Sequence, residues 1–555
     1  MKKILAIVLA AVMLIGLVAC GGGGGSTPAP SNSAAPAESS SPSGGGSSAA
    51  PAPSESAAPS GGGDAPAPAA ATDTITVAVS NDAGTLSPAF STSTTFAVVC
   101  SMMEPLWDVD QEGNVKMILC ESVDFVSDTE QILHLRQGVK FHNGNPFTAS
   151  DLLFSMNIHK DAGSSGAPRV QTVDFEKTKV IDDYTLDLFL LAPTIANWTV
   201  LSQCICYDEE SYDPAVAASA PNGTGPYKFV SYTPNSEIKM ERNEEYWGDA
   251  PAFKYINVKI LAEDSQRMNA LETGLIDLGL IATTDYDYAT GLDNIDVIGY
   301  YSGNYEGVSF NFGPNSVFYH NRDARAAVCH AINGDAILQT VFLGHGAHMH
   351  AQIVPYCFDY EDRFNDLSDI YSIGYNPELA KQLAESSGLA GQTIDIMTAG
   401  AASEIRAAEM VQAMLSEIGV NANIVNYDPA TVWQLMYDPE ADWDIDIGQG
   451  ITPNRRCGDQ LLNGVRYSQV LTTPGSFRDN EEYLKKAPLC MSLQDEKELG
   501  DLLYEMLKWY EDEVLAFALF DIEHFIGASQ NIDPDSVTLS VGSSGVRYYE
   551  LRPRG

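Results

Sequence analysis

The chain has 555 residues, 45% of them hydrophobic, and its 74 acidic against 31 basic side chains leave a net charge of −43. That balance offers no basic face to neutralise phosphates, which excludes nucleic acid as a partner and disfavours loose adhesion to anionic lipid. About 480 residues follow a low-complexity N-terminal region, more than one core accommodates, so at least two lobes are expected.

Lys2 and Lys3 precede an apolar run from Ile4 to Ala19. The run is shorter than the roughly twenty residues a bilayer-spanning helix needs, and its flanks fit a secretory signal peptide. It ends in Leu17-Val18-Ala19-Cys20, which resembles a bacterial lipobox. The resemblance makes residues 1–20 a lipoprotein signal peptide and Cys20 the lipidated first residue of the mature chain. Residues 21–72 are almost entirely Gly, Ser, Ala and Pro. Such a stretch builds no core and reads as a disordered tether.

The folded body opens with a strand, where Ile75, Val77 and Val79 alternate with Thr74, Thr76 and Ala78. Leu133 and Leu135 share one face of a second strand, and Asn143-Gly144 is a tight-turn signal. Thr148 with Asp151 reads as a capping-box variant starting a helix through Leu152, Leu153, Met156 and His159. Tyr184, Leu186, Leu188 and Leu190 alternate as a strand. Asn376-Pro377 caps a helix that ends near Gly388. Ser403 is expected to cap the next helix, with Ala407, Met410, Val411, Met414 and Ile418 as its apolar stripe, and Gly419 stops it before a strand over 421–427. A further helix is predicted over 496–519. Helix–strand alternation in this half gives an α/β fold with a partly parallel sheet. The cysteines at 100, 120, 204, 206, 329, 357, 457 and 490 are too few for a stapled scaffold. Most are expected to be buried unbridged thiols, with one or two bridges allowed.

The stretch Leu135-Arg136-Gln137-Gly138-Val139-Lys140-Phe141-His142-Asn143-Gly144 through Asp151 resembles the signature of the family 5 solute-binding proteins of ABC importers. Asn222-Gly223-Thr224-Gly225-Pro226-Tyr227, Asn243-Glu244-Glu245-Tyr246-Trp247-Gly248, Asn321-Arg322-Asp323-Ala324-Arg325, Tyr375-Asn376-Pro377-Glu378 and Glu417-Ile418-Gly419-Val420 are similar to its further landmarks, in order. The resemblance implies a two-lobed α/β periplasmic-binding-protein-like fold (type II, cluster C-like) with a hinge between lobes. Lobe I would be 73–305 completed by 525–555, and lobe II 306–524. It implies capture of a peptide-like small molecule between the lobes, with nickel or a metal chelate as the alternative. It also implies delivery to an ABC permease and its ATPases by a lipid-anchored monomer outside the cell membrane.

By the same resemblance the cleft is lined by residues 86–103 and 448–461. Ligand-binding candidates are Phe90 on the first segment, Asn311, and Gln449, Thr452, Arg455 and Asp459 on the second. A guanidinium there would match an anionic group bidentately. His345, His348 and His350 fall within six residues and could hold a borderline metal. Metal sites usually draw on separated segments, so an ordinary polar loop is the preferred reading. No Gly-x-Ser-x-Gly elbow, His-Glu-x-x-His helix or Gly-Lys-Ser/Thr phosphate loop occurs. With the order of the family landmarks, the chain reads as a binding protein without cofactor rather than an enzyme, a surface hydrolase built on paired carboxylates being the lesser alternative.

Overall fold

The computed structural model describes residues 73–555 apart from 83, 91–92, 111, 164–165, 439, 452–454, 459–460, 462–480 and 541–544. Cys20, Thr452 and Asp459 therefore lie outside the described residues. Strand β1 (Thr74–Val79) follows the period-two pattern and buries Ile75, Val77 and Val79. Strands β2 (Cys120–Ser127), β3 (Glu130–Leu135), β4 (Lys179–Asp182) and β5 (Thr185–Phe189) form a small sheet ordered β2-β3-β5-β4. Helix α1 (Ala149–Asp161) covers it, packing Leu152 and Met156 onto Leu133, Leu135, Leu186 and Leu188. The capping box is present: the Thr148 backbone N–H donates to Asp151 Oδ2 at 2.8 Å.

The main sheet has eleven strands. Its remaining members are β6 (Tyr227–Thr233), β7 (Glu237–Arg242), β8 (Tyr255–Ile260), β9 (Leu278–Ile281), β10 (Ile295–Phe310), β11 (Gly346–His348), β12 (Thr393–Thr398), β13 (Asn421–Asn426), β14 (Ile445–Ile451) and β15 (Ala516–Ser529). The order is β13-β12-β14-β10-β15-β9-β1-β8-β7-β6, with β11 added to β15. Pairing is parallel where helical crossovers intervene, as in β1 with β8 and β12 with β13, and antiparallel across β10 and β15. Helix α2 (Pro377–Ser387) has Asn376 as its cap and ends at Gly388, whose φ of 79° is left-handed.

Two local expectations change. Helix α3 (Ala402–Glu417) starts before Ser403, with Ala401 at the cap and no side-chain cap bond; Glu404 instead accepts the Ala399 N–H at 3.0 Å. Helix α4 (Glu496–Asp512) stops short of Leu519, and Ala516–Leu519 begins strand β15. Val514 takes a φ of 52°, which ends the helix, and the run from Ala516 to Ile522 is buried without interruption. A short apolar run buried on both faces carries no period with which to tell helix from strand. No disulfide joins any of the eight described cysteines, and seven of them are buried.

The sequence motifs far apart in the chain meet around Glu104. Its buried carboxylate accepts hydrogen bonds from Thr224 Oγ1 at 2.8 Å, Tyr246 OH at 2.6 Å and Trp247 Nε1 at 3.0 Å. Arg136 lies 4.6 Å over the Trp247 ring, and the His142 ring contacts the Gly225 carbonyl at 2.9 Å. Gly223 is required by close approach, since a Cβ there would sit 2.2 Å from the Met102 carbonyl oxygen. Glu104→Ala would strand three donors in the interior and is expected to cost about 2–4 kcal/mol, whereas Glu104→Gln keeps an acceptor and costs less. Urea unfolding followed by tryptophan fluorescence measures both; a wild-type midpoint for the alanine variant would refute this role.

Candidate functional site

Two strands join the cores. The first part of β10, Ile295 to Tyr301, pairs with Glu523–Ser529; its last part, Tyr305 to Ser309, pairs with Ala516–Asp521. Ile295 and Phe525 pack with Ala78, Leu271 and Ile281 in one cluster. Tyr305, Val308, Phe310 and Phe520 belong to the large cluster built from residues 305–522. Between the halves the register shifts from Tyr301 to Tyr305, and Gly303 there has a φ of 83°.

Charged groups gather beside this irregularity. Asp521 is 1% exposed, and neither of its carboxylate oxygens has a hydrogen-bond partner among the described residues. Arg455 is 6% exposed; its Nη2 donates to the Ser302 carbonyl at 3.0 Å, while Nη1 has no partner among the described residues. The arginine lies against the crossing strand, and Gly303 is favoured there by its left-handed φ of 83°, since a Cβ would meet the guanidinium only at an ordinary contact distance of 3.7 Å. Arg455 itself has a φ of 48°, a conformation that costs a non-glycine residue about 1–2 kcal/mol and recurs at functional sites.

Burial pushes the Asp521 carboxyl up to about 7, against the attraction of Arg455, which pulls it down. His524, paired with Tyr300 across the ladder, is held below the ordinary imidazole range by burial, and its Nε2 has no partner among the described residues. The Tyr301 and Tyr356 rings stack at 5.4 Å, and burial followed by Asp521 raises the Tyr356 hydroxyl. Buried polar atoms without partners are uncommon in folded proteins. Here a donor and a carboxylate of that kind, Arg455 and Asp521, share one junction, an arrangement suited to a polar guest carrying both charges.

A cleft of about 470 Å³ opens nearby. Gln131, Asn197 and Trp198 line one wall; Arg456, Gln494 and Leu499 line the other. Its two walls touch at the rim, where the Ile195 N–H donates to the Met491 carbonyl at 2.8 Å.

The residues proposed from sequence are distributed unevenly. Arg455 is at the junction. Phe90 is 45% exposed on the turn Pro88–Phe90, which the Tyr207 hydroxyl holds by accepting the Ala89 N–H at 2.8 Å. Asn311 is buried with its carboxamide engaged by backbone: it donates to Ala441 and Trp443 carbonyls and accepts the Gly313 N–H at 2.7 Å. The Gln449 backbone pairs with Glu306 across β14 and β10. The three histidines diverge, with His345 near Glu523 at 3.5 Å, His348 bonded to Asp335 and His350 near Asp366 at 3.9 Å. Sequence reasoning missed Asp521 and His524. Their signal is the polar triplet Asp521, Glu523 and His524 inside an otherwise apolar strand.

The two cores, the paired crossing strands and the polar junction define a two-lobed α/β binding-protein fold. The profile described as bacterial extracellular solute-binding proteins, family 5, middle, matches residues 114–455, and the chain belongs to this family. It is 27% identical over 340 residues to the dipeptide-binding protein of Escherichia coli (strain K12), covering 53% of this chain and 60% of that protein. The oligopeptide-binding protein AppA of Bacillus subtilis is 24% identical over 51% of this chain and 53% of its own length. The chain thus aligns to between half and two thirds of these relatives. The structure of DppA from Helicobacter pylori in complex with peptide STSA superposes with a TM-score of 0.70 at 20% identity, over 87% of this chain and 98% of that one. NikA from Brucella suis in complex with Fe(III)-EDTA gives a TM-score of 0.73 at 20% identity, over 87% and 100%.

Because Asp521 sits near 7 rather than at the ordinary carboxylate value, the fold favours its protonated form. Its contribution to stability is therefore present at low pH and lost as pH rises from about 4 through about 7, by about 4 kcal/mol in all. Asp521→Asn is expected to remove that loss. Melting temperature against pH for both proteins checks it, and parallel curves would contradict the assignment.

Proposed function

We propose that this chain is an extracytoplasmic receptor that closes two lobes on a peptide-like zwitterion and presents it to an ABC permease and its ATPases. Residues 73–305 with 525–555 form lobe I and 306–524 form lobe II. The N-terminal 20 residues are a lipoprotein leader, Cys20 carries the lipid, and residues 21–72 tether a monomeric body to the outer face of the cell membrane. Among the described residues no helix is long and apolar enough to span a membrane, so transport itself falls to the partners. The relatives named above are binding proteins, and this chain binds without chemistry on its guest.

The observation that carries this reading is the opposed pair of buried, incompletely bonded charges, Arg455 and Asp521. Arg455 Nη1 takes the guest's carboxylate and Asp521 its ammonium. Phe90, Asn311, Gln449, Thr452 and Asp459 remain the further contact candidates that the family resemblance implies.

A metal chelate rich in carboxylates would use Arg455 but gain nothing from Asp521, so the two variants separate these guests. For a peptide, Arg455→Ala and Asp521→Asn should each weaken binding at least tenfold, about 1.4 kcal/mol or more, in calorimetry against a panel of di- to tetrapeptides. Affinity should rise with pH through about 7 and binding should release protons, since the ammonium favours ionised Asp521. Unchanged affinity in both variants for every peptide that binds would sink the reading.

A further inference from the structure

We propose that Cys357, Asp359 and Cys457 form a binding site for one thiophilic divalent cation of the zinc type, separate from the guest-binding groups. Their ligand atoms, two Sγ and a carboxylate oxygen, all lie within 4.8 Å of one another. A tetrahedral zinc with sulfur ligands at about 2.3 Å places them roughly 3.8 Å apart, so the set closes onto a cation with small side-chain movements.

The backbone brings these residues together. The Phe358 N–H donates to the Arg455 carbonyl at 2.9 Å, and the Cys457 N–H donates to Asp359 Oδ1 at 2.8 Å. That second bond orients the carboxylate and leaves Oδ2 buried with no hydrogen-bond partner among the described residues. Both cysteines are buried, and burial followed by Cys357 raises the Cys457 thiol well above its ordinary value. A cation removes that obstacle: each thiol passes its proton to solvent as its sulfur–metal bond forms, and Asp359 joins as the carboxylate. Two thiolates and one carboxylate around a dication leave a single negative charge. The Arg455 carbonyl is bonded to Phe358 and the Arg456 guanidinium lies 5.4 Å over the Phe358 ring, so two arginines adjoin the site.

The competing occupant of two close thiols outside a cell is a disulfide. It needs a disulfide oxidant to accept two electrons, and it leaves Asp359 Oδ2 unbonded. The donor set favours the cation. Bound there, the cation would fasten the segment 455–457 to 357–359 and so fix the left-handed turn that presents Arg455.

The test titrates the full chain, reduced and stripped with chelator, with Co²⁺ alone. One equivalent should produce thiolate-to-cobalt charge-transfer absorbance, displaced by Zn²⁺. Cys357→Ser and Cys457→Ser should each abolish it, Asp359→Asn should weaken cobalt binding about tenfold or more, and Cys490→Ser should leave it unchanged. Native mass spectrometry of the wild type needs no variant and should show one zinc bound with loss of two protons. Absence of the band, its survival in Cys457→Ser, or a purified chain two hydrogens lighter and restored by reductant would each overturn the proposal. Peptide binding is measured separately, so either claim can fail alone.

Discussion

Every part of this molecule depends on two antiparallel strands, β10 and β15, that run through both hydrophobic cores. Their backbone ladder is continuous enough to hold the cores together, yet their side chains divide between them, with Ile295 and Phe525 on one side and Phe310 and Phe520 on the other. Sheet hydrogen bonds resist stretching, whereas a register irregularity with a left-handed glycine tolerates twist. Gly303 marks that irregularity, between the halves of the ladder that belong to the two cores. Arg455 lies against the same place, its guanidinium bonded to the Ser302 carbonyl.

A second constraint explains why the family landmarks stand where they do. Thr224, Tyr246 and Trp247 are distant in sequence from Glu104 but terminate on its carboxylate. Each donor favours the ionised form and burial opposes it, leaving the carboxyl near 7. The residues that make the sequence recognisable thus secure the interior of one lobe; the polar groups at the strand crossing belong to different segments. Asp521 is likewise raised to about 7 by burial, but without such a set of side-chain donors. Its oxygens are buried without donors among the described residues, a cost that a structural carboxylate such as Glu104 avoids.

Much of the fold was legible where a local signal was strong. The alternation at Ile75–Val79, the Thr148–Asp151 box and the Asn376-Pro377 start all mark real boundaries. The helix expected over 496–519 ran too far because Ala516–Leu519 is apolar on every face, and only its pairing with β10 makes it a strand. The site was less legible. Arg455 stood out, with Arg456, by charge in a basic-poor chain, but Asp521 became visible only once burial stripped it of partners. The Cys357–Cys457 juxtaposition depends on backbone pairing between segments a hundred residues apart, which no spacing rule reports.

The position of β1 has a consequence for biogenesis. It lies between β8 and β9, and β9 in turn leans on β15, while Ile532, Val546, Tyr548 and Leu551 fill the same core as Ile75 and Val77. One cluster, from Tyr305 to Ile522, is contiguous in the chain and can condense as soon as it has emerged from the ribosome or translocon. The other must keep its first strand waiting until the final thirty or so residues arrive, a closure over more than 450 residues that makes its completion the slow, aggregation-exposed step.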